Sequence, residues 1–150
     1  MLAIGSDHAA FSFKEEIKTY LEEKGIQYKD FGCYSEARTD YPIYAEKVAN
    51  AVASGECQQG LLCCGTGIGI SLAANKVPGI RAAVCSDCYS AAMSRQHNDA
   101  NILALGARVV GIDLAKSIID TWLKAEFEGG RHAERVKLIS EIEAKHLKTP

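Results

Sequence analysis

Short apolar segments alternate with amphipathic segments along most of the chain, and this alternation constrains the fold more than any other feature. Five short apolar segments are typical of strands: residues 2–5, 26–31, 61–64, 81–85 and 102–105. The segments between them have helical periodicity, as in residues 11–24, where apolar side chains share one face and Gly25 ends the helix. Strands that alternate with helices predict an α/β protein whose parallel sheet is covered by helices on both faces.

Two chemically distinctive segments follow strands that neighbour each other in a flavodoxin-like strand order. Asp7 and His8 follow the first strand, and Cys64 ends the third. In such sheets ligands bind beyond the carboxyl ends of the strands, where the strand order reverses, and here that point lies between the first and third strands. We therefore expect one crevice to hold both segments. We also expect the loop of residues 95–99, which contains His97 and Asn98, to face the same rim.

A glycine-rich loop that begins with a cysteine follows the third strand. The sequence Cys64-Gly65-Thr66-Gly67-Ile68-Gly69 lies directly behind an apolar run and before a predicted helix at residues 70–74. Glycines let backbone N–H groups approach an anion, and the positive end of the helix adds to that attraction. A thiol at a helix N-terminus forms a thiolate more readily than a free thiol does. The alternative is a tight turn beside a buried, inert cysteine.

Each further candidate also has an ordinary structural explanation. Ser6 or Asp7 suits an N-cap, although a cap does not explain His8. His97 suits proton transfer near neutral pH, or a solvated helix end. Arg131 and Arg135 lie four residues apart on one face of the last helix. They could bind a phosphate together, or they could simply be part of a charged surface.

Two additional features concern basic and sulfur-containing side chains. Arg108 follows the fifth strand, where it could join an anion clamp. The pair Cys85 and Cys88 forms a lone Cys-x-x-Cys motif without two further zinc ligands at a suitable spacing, so incidental thiols are the favoured interpretation.

Composition narrows the function classes. A chain of 150 residues fits one domain, residues 1–150, with a proper core. Seventeen basic and nineteen acidic residues give a net charge of −2, so nucleic acid is not an expected partner. No apolar run approaches the length that spans a membrane. Six cysteines without a secretory signal predict free thiols in a reducing cytoplasm.

Taken together, five separated motifs resemble the type B ribose-5-phosphate isomerases and the wider family that includes galactose-6-phosphate and allose-6-phosphate isomerases. The motifs occur in family order over nearly the whole chain: Gly5-Ser6-Asp7-His8, Arg38-Thr39-Asp40-Tyr41-Pro42, the loop Cys64–Gly69 with Ala73-Ala74-Asn75-Lys76, Ser94-Arg95-Gln96-His97-Asn98, and Gly129-Gly130-Arg131-His132. The resemblance implies a three-layer α/β/α sandwich with a five-stranded, Rossmann-like sheet and a C-terminal helix. It also implies a homodimer with active sites at the subunit interface; pairing of dimers into tetramers stays open.

The resemblance further implies the interconversion of ribose 5-phosphate and ribulose 5-phosphate, a pentose phosphate pathway reaction, without metal or organic cofactor. Cys64 would be the base that moves a proton between C1 and C2, and His97 would open the furanose ring with help from Thr66. The remaining site residues would bind the sugar or the phosphate: Asp7, His8, Tyr41, Gly65, Gly67, Ile68, Gly69, Asn98, Arg108, Arg131 and Arg135. Some relatives use a glutamate just after the loop instead of the cysteine; this chain has Ile70 there.

Other functions fit the sequence less well. An allose- or galactose-6-phosphate isomerase of the same family is the main alternative. A nucleotide-binding module is disfavoured because the glycine loop follows the third strand and lacks the Gly-Lys-Ser/Thr ending of a P-loop. A non-catalytic phosphosugar sensor would bind without turnover. A receiver domain would need an aspartate where Cys64 stands.

Overall fold

The fold is built on a five-stranded parallel sheet, seen in a computed structural model that describes residues 1–147. The strands are β1 (Leu2–Ser6), β2 (Tyr28–Asp30), β3 (Gln59–Cys64), β4 (Ala82–Val84) and β5 (Ile102–Gly106). They lie in the order β2-β1-β3-β5-β4, and every neighbouring pair is parallel. The predicted α/β class, the five strands and the reversal of strand order between β1 and β3 are therefore confirmed.

Helices cover both faces of the sheet. They are α1 (Phe11–Glu23), α2 (Tyr41–Ala53), α3 (Ile68–Ala74), α4 (Cys88–Gln96), α5 (Ile112–Lys124) and α6 (Arg131–His146). Side chains from α1, α4 and α5 form one core cluster against the sheet, and those from α2 and α3 form the other. Because alternate strand residues point to opposite faces, Cys63 belongs to the first cluster and Cys64 to the second. Among residues 1–147, no helix is both long and apolar enough to cross a membrane.

The two edge strands are shorter than their sequence patterns indicate. The predicted segments at residues 26–31 and 81–85 contain strands of three residues each, β2 and β4. Beyond β3 the sheet continues with β5 before β4, so the buried strand β5 lies inside the sheet and the half-exposed β4 at its edge. Strands at sheet edges are commonly short, which limits pairing with other chains.

Because all five strands are parallel, the sheet has one side where the strands end and one side where they begin. All strands end at one side, which we call the carboxyl edge, and begin at the other, the amino edge. Gly60 is in register with Ile102 at the amino edge, and Cys64 is in register with Gly106 at the carboxyl edge. At a rise of about 3.3 Å per residue, the two edges are separated by about 13 Å along β5.

A buried ion pair secures the carboxyl edge near β1. Lys14 is fully buried, and its Nζ donates to Asp30 Oδ1 at 2.7 Å and to the Cys33 carbonyl at 2.5 Å. Burial raises the pKa of Asp30, but hydrogen bonds from Lys14 and Lys18 outweigh it and leave that pKa below its ordinary value. The periodicity of α1 places a charged residue on its inner face here, which the sequence pattern did not predict.

We expect Asp30→Asn to destabilise the protein by about 3 kcal/mol, because it leaves the Lys14 ammonium buried without its counter-charge. Urea unfolding followed by circular dichroism measures the change. Glu56→Gln is the matched control, since the Lys29–Glu56 pair is exposed on both sides and its loss should cost less than about 1 kcal/mol. Equal losses for the two variants would contradict this role of the buried pair.

Candidate active site

The carboxyl edge brings the predicted residues of β1 and β3 together. Asp7 is buried directly after β1, and its Oδ1 accepts from the Ala10 N–H at 3.2 Å, capping the 3₁₀ turn His8–Ala10. The Asp7 N–H donates to the Cys63 carbonyl at 3.3 Å, which ties the ends of the two strands to each other. The capping explanation of Asp7 is therefore correct, and the residue also lies beside the end of β3, as predicted.

His8 is held through one ring nitrogen. Its Nδ1 lies 3.0 Å from the Thr39 carbonyl oxygen and 3.1 Å from the Thr39 nitrogen. The Thr39 hydroxyl in turn lies 2.9 Å from the Tyr44 hydroxyl on α2. These contacts fix the imidazole against the segment before α2 and leave Nε2 for a ligand.

The glycine loop surrounds the Cys64 thiol with backbone. Cys64 is buried at the end of β3, and the Gly67 N–H donates to its Sγ at 3.1 Å. Gly67 has a φ of +80°, a left-handed conformation that favours glycine, and this turns its N–H toward the sulfur. The Ile68 N–H donates to Thr66 Oγ1 at 3.2 Å, and α3 begins at Ile68, two residues before the predicted start. A main-chain N–H on sulfur stabilises a thiolate more than a thiol.

Two further N–H groups at the start of α3 are available to a ligand. Within residues 1–147, the N–H groups of Gly69 and Ile70 have no hydrogen-bond partner. The Tyr41 ring lies over Gly69 so closely that a Cβ there would sit 2.7 Å from its Cζ. Gly69 is therefore needed for this close approach, which places Tyr41 beside the loop.

Arg108 supplies positive charge at the same edge. The turn after β5 is bonded to the loop, because the Ala107 N–H donates to the Cys64 carbonyl at 2.9 Å and the Arg108 N–H to the Gly65 carbonyl at 3.0 Å. The Arg108 Nη1 would lie 3.4 Å from a Cβ on Gly65. Among residues 1–147, no carboxylate forms an ion pair with this exposed guanidinium. Arg108 is therefore free to bind an anion.

The structure corrects the predicted position of His97. We expected the loop of residues 95–99 to face the Cys64 rim, but it joins the end of α4 to the start of β5 and lies at the amino edge. The reason is the polarity of parallel sheets, in which each helix returns the chain to the edge where the next strand begins. Asn98 shares this position. Cys64 and His97 of one chain therefore stand at opposite edges of the sheet.

The amino edge carries a second cluster of polar side chains. The rings of His97 and His132 are stacked with centroids 4.1 Å apart and planes 8° from parallel. Glu128 Oε1 lies 3.6 Å from Nε2 of each ring. Arg131 and Arg135 lie in the first turns of α6 and are exposed beside this cluster. They are thus at the opposite edge from Arg108, so one chain does not assemble the predicted three-arginine clamp.

His132 and Glu128 were not predicted as site residues. Burial, together with the nearby His97 and Arg131 side chains, lowers the pKa of His132, although Glu128 opposes the shift. The sequence feature that could have indicated this contact is Gly129-Gly130. Both glycines have positive φ and turn the chain so that the His132 ring stacks on the His97 ring.

Two other cysteines, Cys63 and Cys85, are in environments that disfavour chemistry. Cys63 is fully buried, and burial raises the pKa of its thiol. Burial likewise raises the pKa of Cys85 to about 11, although a hydrogen bond with Ser94 opposes the shift. A thiol with so high a pKa is a poor nucleophile and a poor metal ligand at neutral pH. This agrees with the interpretation of Cys85 as an incidental thiol.

Comparison with known proteins identifies the family. The family model described as Ribose/Galactose Isomerase matches residues 2–139. The chain belongs to the Ribose/Galactose Isomerase family. It is 58% identical to ribose-5-phosphate isomerase B of Escherichia coli K12 over 95% of each chain. The resemblance drawn from the five sequence motifs is thereby confirmed.

Solved structures of family members have the same architecture. A ribose-5-phosphate isomerase B from Clostridium thermocellum superposes with a TM-score of 0.96 at 61% identity, covering 97% of this chain and 99% of that one. A second, from Mycoplasma genitalium with bound ribulose 5-phosphate, has a TM-score of 0.91 at 40% identity, with 96% of each chain covered. The fold of this Ribose/Galactose Isomerase family member is therefore shared along nearly its whole length.

Proposed function

We propose that this chain is an aldose–ketose isomerase that interconverts ribose 5-phosphate and ribulose 5-phosphate. The observation that carries the proposal is the Cys64 thiol, held at the carboxyl end of β3 with a backbone N–H directed at its sulfur. We prefer a pentose phosphate to an allose or galactose phosphate because the relatives from E. coli and C. thermocellum, at 58% and 61% identity, carry the ribose-5-phosphate name.

Cys64 acts as the base in this proposal. Its thiolate takes the proton from C2 of the open-chain aldose, and the electron pair moves into the C1–C2 bond as negative charge develops on O1. The proton then returns to C1, while the O2 proton moves to O1 and C2 becomes the carbonyl of the ketose. Gly69 and Ile70 lie in the first turn of α3, and their free N–H groups can bind the enediolate oxygens. One such preorganised donor typically stabilises a transition state by about 3 kcal/mol.

Substrate binding is shared among the other predicted residues. Asp7, His8 and Tyr41 line the carboxyl edge around the loop, where they can hold sugar hydroxyls. The unpaired guanidinium of Arg108 attracts the phosphate, and Arg131 and Arg135 of a second subunit complete the phosphate site. Binding energy from the phosphate orients the reacting carbons against Cys64.

The separation of the two edges supports a homodimer with composite active sites. A base and a ring-opening group must reach the same sugar, yet Cys64 and His97 lie about 13 Å or more apart in one chain, given the rise along β5. In a two-fold dimer, the carboxyl edge of one subunit can face the amino edge of its partner. The proposed site then combines Cys64, Thr66 and Arg108 of one subunit with His97, Asn98, Arg131 and Arg135 of the other.

The last helix supports the same assembly. His132 is the one buried residue described in α6, although the helix has sixteen residues. The apolar side chains of Leu138, Ile139 and Ile142 form a stripe that is about half exposed, at 58%, 48% and 56%. Beside the glycine loop, Ile68 and Leu72 are also exposed. Burial of these side chains between subunits would supply the hydrophobic contribution that a stable dimer needs.

The proposal also covers the organisation and location of the protein. Residues 1–150 form one sugar-phosphate isomerase domain that acts on a small molecule. All six cysteines are free thiols in the structure, which suits the reducing cytoplasm where such metabolites occur.

We expect Cys64→Ala to fold and bind ribose 5-phosphate while losing isomerisation by a factor of about 10³ or more, because the proton-transferring group is gone. A coupled assay measures kcat, and calorimetry measures binding. Cys63→Ala is the matched control, since its thiol points to the opposite face of the sheet. That variant should keep its turnover. Normal turnover of Cys64→Ala would exclude Cys64 as the base.

His97→Ala should lose most activity on ribose 5-phosphate but keep activity on a four-carbon aldose phosphate. The shorter sugar carries its phosphate on the hydroxyl that would close a furanose, so it needs no ring opening. The ratio of kcat/KM for the two substrates, compared between variant and wild type, measures the effect. An equal loss on both substrates would contradict a role for His97 in ring opening.

A further inference from the structure

The cluster at the amino edge has the composition of a divalent-metal site. His97, His132 and Glu128 each offer one potential ligand atom, and these atoms all lie within 4.8 Å of one another. Two imidazoles and one carboxylate form a donor set that zinc takes in proteins with an open coordination position.

The distances in the cluster are close to those that coordination requires. Tetrahedral ligands about 2.1 Å from a zinc ion are separated from each other by about 3.4 Å. Glu128 Oε1 already lies 3.6 Å from Nε2 of His97 and 3.6 Å from Nε2 of His132. Both Nε2 atoms therefore face the Glu128 carboxylate. Because the planes of the two rings are only 8° from parallel, coordination of one ion requires the rings to rotate out of their stack, so that their in-plane lone pairs converge.

The backbone around the cluster holds the three ligands in place. The Glu128 N–H donates to the Gln96 carbonyl at 3.0 Å, and the His97 N–H donates to the Met93 carbonyl at 2.8 Å. The His132 N–H donates to the Gly129 carbonyl at 3.1 Å at the start of α6. The main chain before α6 is thus bonded to the end of α4, which keeps the three ligand-bearing residues close together.

We propose that His97, His132 and Glu128 form a binding site for a divalent transition metal, with Zn²⁺ as the reference ion. In this site the metal is coordinated by Nε2 of His97. An occupied site therefore withdraws the imidazole that opens the sugar ring, and the cluster acts as an inhibitory metal site. The inhibitory role rests on the proposed function, whereas metal binding itself does not.

Isothermal titration with ZnCl₂ tests the site on the full-length chain. Glu128→Gln and His132→Asn should each weaken zinc binding by about tenfold or more, since even the loss of a partner behind a ligand typically costs 10- to 100-fold. Glu126→Gln is the control, because this exposed neighbour lies outside the cluster. All variants keep the same cysteines, so any zinc bound by thiols contributes equally. Glu128 is half exposed, so its variant should fold even where His132→Asn does not.

Activity measurements test the inhibitory role separately. Zinc should inhibit turnover of ribose 5-phosphate, EDTA should reverse the inhibition, and Glu128→Gln should need about tenfold more zinc for the same effect. Turnover of the four-carbon aldose phosphate should be affected much less. Wild-type zinc affinity in Glu128→Gln would overturn the site, and equal inhibition on both sugars would overturn the role of His97. If no sugar phosphate is turned over, the proposed function fails while the titration still decides the metal site.

Discussion

The parallel direction of the strands determines what one chain of this protein can assemble. Every turn that follows a strand lies at the carboxyl edge, and every turn that precedes one lies at the amino edge. Cys64 and Arg108 therefore share one edge, while His97 and Arg131 share the other. Side-chain rotation does not bring the two sets together, because the length of the strands separates them. The composite site that we propose is a direct consequence of this polarity.

Contacts within one chain fix the conformation of the residues at each edge. At the carboxyl edge, the buried Lys14–Asp30 pair secures the segment beside β1, and the left-handed Gly67 directs its N–H at the Cys64 sulfur. At the amino edge, the His97 and His132 rings stack where α4 and α6 meet. In the proposed dimer, these contacts would leave less side-chain ordering for the moment when the substrate binds.

The sequence predicted those features that depend on local pattern. The strand–glycine–helix pattern located Cys64 and its loop, and the alternation of elements predicted the sheet and its switch point. The order of β4 and β5 was not predictable, because no local signal encodes which strand becomes the edge. Lys14 was missed because periodicity counts lysine as polar, whereas its long stem reaches a buried carboxylate. His97 was misplaced because loop polarity was ignored, and its contact with His132 depends on the turn at Gly129-Gly130.

The central claim is that Cys64 of one subunit works with His97 of its partner, and subunit mixing tests it most directly. Cys64→Ala and His97→Ala chains are unfolded together in equal amounts, refolded, and assayed on ribose 5-phosphate. Random pairing makes half of the dimers mixed, and each mixed dimer has one site with both groups intact, so about a quarter of wild-type activity should return. Each variant refolded alone should stay inactive. Failure of the mixture to exceed the two separate variants, with mixed dimers present by mass spectrometry, would contradict the composite site.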